Sequence, residues 1–70
     1  MGYISSYMAG SVFKVLVKPG DIVESGNEVV ILESMKMEIP ITVESKVVIR
    51  DVKVREGEFV NEGDIIIELE

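Results

Sequence analysis

The sequence predicts an all-β fold, a flattened eight-stranded barrel or sandwich made of two four-strand halves related by a pseudo-twofold axis. Three observations predict it. Val, Ile, Leu, Phe and Tyr recur in short runs separated by Gly, Pro, Asn and Asp, the punctuation of strands and turns. No apolar stripe of helical period runs through the chain. A shift of 37 residues then lays the chain onto itself, matching Gly20 to Gly57, Gly26 to Gly63, Val15 to Val52, Val17 to Val54, Val23 to Val60, Leu32 to Leu69 and Glu33 to Glu70. One half is too small to bury its own apolar faces, so the halves must pack together.

In chain order the expected strands cover residues 3–8, 11–18, 22–24, 28–34, 37–43, 47–55, 58–60 and 64–69. Lys18-Pro19-Gly20-Asp21 suits a type II turn, with Pro fixing φ at the second position and Gly accepting positive φ at the third. Glycines at 26, 57 and 63 mark further turns. The repeat also sorts the faces. Phe13 aligns with Arg50 and Leu16 with Lys53, so those positions tolerate charge and should be partly exposed. Val15, Val17, Val30 and Leu32 stay apolar in both copies and belong to the core. Met37, Ile39, Ile41 and Val43 alternate with polar residues and Pro40, which predicts an inward face and an edge position for the proline. The pseudo-twofold should place the turn at Lys36 at one end and both termini near the other.

Seventy residues make a single domain over residues 1–70, near the lower limit for a lone core. With no Cys and no His, neither a disulfide nor a zinc site supports it, and stability must come from packing of the 47% hydrophobic residues. The same absence removes the nucleophile–base pairs of common hydrolases, and no phosphate-binding glycine loop is present. Catalytic residues and metal ligands are therefore not expected. A net charge of −6 disfavours nucleic acid and anionic membranes as partners. No apolar stretch approaches a membrane span, and no basic, apolar leader opens the chain. Residues 1–6 fit the loose N-acylation pattern, but the segment soon becomes strand-like. A cytoplasmic location is expected.

The chemistry concentrates at Glu33-Ser34-Met35-Lys36-Met37-Glu38, where two strand-like runs meet at Met35-Lys36. A lysine at a hairpin tip is held by a rigid scaffold yet projects into water. A solvated surface lysine would explain Lys36 alone, but two large apolar methionines beside it at a reversal are hard to explain by folding. Flexible, polarizable methionines suit a surface that a modifying enzyme grips. Lys36 is therefore the expected site of covalent attachment, with Met35 and Met37 as recognition flanks and Glu33, Ser34 and Glu38 as their context.

These residues resemble the attachment motif of the biotinyl/lipoyl domain family, whose usual form is Ala or Ser followed by Met-Lys-Met after a strand ending in Glu. Met8-Ala9-Gly10 resembles that family's Pro-Met-Ala-Gly, with Tyr7 standing where the Pro is usual. Lys18-Pro19-Gly20-Asp21-Ile22-Val23 resembles its Gly-Asp-x-Val turn, which residues 56–64 repeat. Val47 departs from the usual Gly at the repeat mate of Gly10. The resemblance covers nearly all of residues 8–70 and implies a barrel-sandwich hybrid fold. It also implies a non-catalytic carrier biotinylated on Lys36 by a biotin protein ligase. Such a carrier shuttles an activated carboxyl between biotin carboxylase and carboxyltransferase subunits. Two alternatives stay open. One is a lipoyl carrier or dual acceptor, although lipoyl domains typically have Asp before the lysine and Ala after it. The other is an unmodified β-barrel interaction module.

Overall fold

The computed structural model describes residues 2–70, which span 31 × 19 × 17 Å. Eight strands and no helix occur among them: β1 (Gly2–Ser5), β2 (Gly10–Val15), β3 (Ile22–Val23), β4 (Glu28–Ser34), β5 (Met37–Thr42), β6 (Val47–Val52), β7 (Phe59–Val60) and β8 (Ile65–Leu69). They form two four-stranded antiparallel sheets, ordered β1-β8-β6-β3 and β5-β4-β2-β7. Exchanging each strand for its mate 37 residues away converts one order into the other. The repeat read from the sequence is thus the symmetry of the fold.

Main-chain bonds carry the same symmetry and interlock the halves. Gly20 N donates to Ile49 O, and Gly57 N donates to Val12 O, both at 2.8 Å. Each half's turn is tied to the other half's strand. Gly20 and Gly57 take φ of 94° and 96°, a left-handed conformation that a side chain would strain. At the first of these turns Lys18 N donates to the Asp21 carboxylate at 2.9 Å, closing the expected Pro-Gly reversal.

Four β-bulges break the pleat, again in two symmetric pairs. The register skips Phe13 in β2 and Arg50 in β6, and it skips Val29 in β4 and Ile66 in β8. A bulge turns two neighbouring residues toward one side of the sheet. Val29 and Val30 are therefore both fully buried, as are Ile66 and Ile67. Phe13 is turned outward and is 39% exposed, in line with its charged mate Arg50. Together with Val12, Val23, Leu32, Ile41, Val43, Ile49 and Val60, the four bulge residues of β4 and β8 make one core between the sheets. Val15, Val17 and Leu69 pack against its margin.

Three strands stop three residues earlier than the apolar runs predict. The first ends at Ser5 because Ser6 is buried and its hydroxyl donates to the Met8 carbonyl, turning the chain. The second ends at Val15 and the sixth at Val52, where the chain leaves each sheet for a glycine turn. The acylation pattern begins at Met1, which lies outside the described residues, while its Gly2 is already in β1 opposite Leu69. No helix among the described residues is long and apolar enough to cross a membrane.

Candidate functional site

The β4–β5 hairpin gathers all six residues singled out in the sequence. Leu32 pairs with Ile39, Glu33 with Glu38 and Ser34 with Met37, which leaves Met35-Lys36 as a two-residue loop. Below the loop the hairpin is rooted by Leu32, which is fully buried, and by Ile41. β5 lies at the edge of its sheet, and Pro40 occupies an exposed position there, so its missing N–H is no loss.

The loop has φ of 52° at Met35 and 64° at Lys36. Positive φ at both central residues defines the type I′ reversal, which matches the twist of two paired strands and ordinarily takes Asn-Gly. Met and Lys pay a steric penalty there, roughly 1–2 kcal/mol per residue, because Cβ crowds the following carbonyl. Exposure adds a second conflict with folding. Met35 is 91% exposed and Met37 63%. The inward face expected for β5 thus does not extend to Met37: its side chain faces the right way but lies past the end of the core. Two apolar side chains in water on a strained turn favour a functional explanation over a structural one.

Lys36 is exposed and makes no ion pair among the described residues. Glu33 and Glu38 face each other across the hairpin, and like charges so placed repel. Neither carboxylate forms an ion pair with the lysine. Ser34 is partly buried beside Gly10, where a Cβ would lie 3.6 Å from the Ser34 Cβ and 2.9 Å from the Glu33 carbonyl oxygen. The β1–β2 connection also reaches the opposite strand, since Tyr7 Oη donates to the Pro40 carbonyl at 2.6 Å. Neither Tyr7 nor Gly10 stood out as functional in the sequence. The available signal was that both depart from their repeat mates, Glu44 and Val47.

The tip offers one nucleophilic amine on a rigid stalk, with no acid–base partner and no group of three or more potential metal ligands among the described residues. A family model described as "biotin-requiring enzyme", for biotin/lipoyl attachment, matches residues 1–69. The chain belongs to the biotin/lipoyl attachment family. The domain that defines it is a non-catalytic carrier of an attached group. A biotin/lipoyl attachment protein of Bacillus subtilis is 56% identical over 66 residues, covering 94% of this chain and 90% of the relative. The mitochondrial propionyl-CoA carboxylase alpha chain of Sus scrofa is 40% identical over 67 residues, which are 96% of this chain and only 9% of that one. The family domain thus also occurs within much longer carboxylase chains. Among solved structures, the lipoyl domain of the 2-oxoglutarate dehydrogenase complex from Azotobacter vinelandii superposes with a TM-score of 0.76 at 26% identity, covering 97% of this chain and 86% of that one. The family's barrel-sandwich architecture is the one the two symmetric sheets build.

Proposed function

We propose that Lys36 is the attachment lysine and that biotin is its cargo. The observation that carries this reading is the tip itself, a free lysine on a strained type I′ loop between two exposed methionines. The fit to a covalently tethered group is good. Nζ has no competing ion pair, and the hairpin is anchored by buried Leu32 and Ile41. Nothing at the tip encloses the amine.

A biotin protein ligase is the modifying enzyme in this reading. Nζ attacks the acyl carbon of biotinyl-adenylate; the amide C–N bond forms, the acyl C–O bond breaks, and AMP leaves with its electron pair. Amide formation also releases a proton from the amine, and no carboxylate among the described residues pairs with Nζ to take it. The ligase must therefore accept the proton. Once bound, biotin supplies the capacity to hold a carboxyl group between a biotin carboxylase and a carboxyltransferase. The chain itself supplies reach, recognition and a rigid base. Met35 and Met37 present soft apolar surface to the ligase, while Glu33 and Glu38 set the charge around it. A cytoplasmic location is part of this reading.

Lipoate is the second reading, favoured by the close superposition on a lipoyl domain and by the dual name of the Bacillus relative. Intact-mass analysis after incubation with a biotin ligase, and separately with a lipoate ligase, distinguishes the cargoes. One biotin adduct on the wild type and none on Lys36→Arg is the expected result. A lipoyl adduct alone would transfer the proposal to lipoate. No adduct from either ligase would leave an unmodified interaction module.

A further inference from the structure

The 37-residue repeat supplies an internal control for the connection between β1 and β2, whose mate is the connection between β5 and β6. Main-chain bonds at the start of the β1–β2 connection occur in both halves. Ser6 N donates to Asp64 O and Gly63 N to Ser6 O, as Val43 N donates to Asn27 O and Gly26 N to Val43 O. Beyond that point the halves diverge. Ser6, the buried polar residue at the position of Val43, bonds through its hydroxyl to the Met8 carbonyl and shapes the segment that follows. Tyr7 bonds to Pro40 on β5, the descending strand of the tip hairpin. Gly10 lies so close to β4, the ascending strand, that its Cβ would meet the Glu33 carbonyl oxygen at 2.9 Å. The mates of Tyr7 and Gly10 are Glu44 and Val47, and no hydrogen bond from the Glu44 side chain reproduces the Tyr7 contact. The Tyr7 bond and the Gly10 approach both touch the hairpin bearing Lys36, while the Ser6 bond shapes the connection that carries them.

We propose that residues 6–10 are a positioning brace: Tyr7 and Gly10 hold the two strands of the tip hairpin so that Lys36 meets its modifying enzyme in one orientation. Tyr7 and Gly10 are positioning residues, since neither touches the amine. β5 is an edge strand paired only with β4, so the Tyr7 bond is its tether on the open side. Gly10 meets the tip end of β4, at Glu33, by close contact. The absent Cβ permits an approach that any other residue would prevent. The brace is rooted through Ser6 in the second half's turn at residues 61–64, which makes the tip's orientation depend on the packing of the two halves.

The proposal rests on Lys36 being the modified residue, and its test separates the two. Amide exchange in the unmodified protein reads the brace directly. Tyr7→Phe removes one exposed oxygen and leaves the core intact; it should raise exchange at residues 33–38 about two- to tenfold, the loss of one hydrogen bond, with β6 and β8 unchanged. Tyr3→Phe is the control, because the Tyr3 hydroxyl makes no hydrogen bond among the described residues. With a biotin ligase, Tyr7→Phe and Gly10→Ala should raise KM for the carrier two- to tenfold while kcat changes less than twofold. Unchanged tip exchange in Tyr7→Phe, or exchange raised evenly over both sheets, would overturn the brace. So would an unchanged KM in a variant of a wild type that is itself modified. A wild type that takes no cargo refutes the proposed function instead, and the exchange data still decide the brace.

Discussion

At the scale of single residues, the tip is where the chain disobeys the rules that the rest of it follows. Gly20 and Gly57 take positive φ where the turn demands it, and Leu32 is buried where the pleat points it inward. Met35 and Lys36 take positive φ without being Gly or Asn, and Met35 is almost fully in water. Replacing the pair by Asn-Gly should therefore stabilise the domain by about 1–2 kcal/mol in denaturant unfolding, while removing the acceptor amine. A loss of stability would mean that the loop is not strained. The motif was legible in the sequence because a lysine between two methionines stands out at a reversal. The brace was not, because the approach of Gly10 to Glu33 and the bond from Tyr7 to Pro40 join residues far apart in the chain. A turn motif cannot show such contacts.

At the scale of elements, alternation predicted the strands but not their bulges. Ile65, Ile66 and Ile67 are alike in sequence, yet Ile65 is 44% exposed and its two neighbours are fully buried. The skipped register at Ile66 is the cause, and side-chain identity gives no hint of it. Ile66→Ala should cost about 2–5 kcal/mol, against less than about 1 kcal/mol for Ile65→Ala, by chemical denaturation. Equal costs would place the bulge elsewhere. The Pro19-Gly20 turn makes a pH prediction. The backbone amide of Lys18, and then its ammonium, hold the Asp21 carboxyl below its ordinary value. A lowered pKa contributes stability above the unfolded value, and this is lost as pH falls through the folded one. Asp21→Asn should thus lower stability by a constant amount between pH 6 and 8, with the deficit shrinking as pH falls below about 4, which leaves a flatter acid limb. An unaltered acid limb would show that the carboxylate bonds are not formed in solution.

At the scale of the whole molecule, the repeat decides most of the architecture. Two apolar faces of equal pattern pack as two sheets, and turns crossing between them fix strand orders that map onto each other. What breaks the repeat then marks function. Tyr7 and Gly10, which reach the tip hairpin, depart from their mates Glu44 and Val47. Gly2 and Leu69 pair at the position that Ile39 and Leu32 occupy beneath the loop. The surroundings are acidic, with a net charge of −6, and Lys36 is the one cation in the stretch 33–38. Its conversion to an amide would leave Glu33 and Glu38 without a nearby positive charge. The central claim is a position, and site-resolved mass spectrometry of the protein purified from cells that supply both biotin and lipoate tests it most directly. The predicted result is a single adduct, confined to the peptide that contains Lys36 and absent from those with Lys14, Lys18, Lys46 and Lys53. An adduct on one of those four lysines, or no adduct at all, would contradict it.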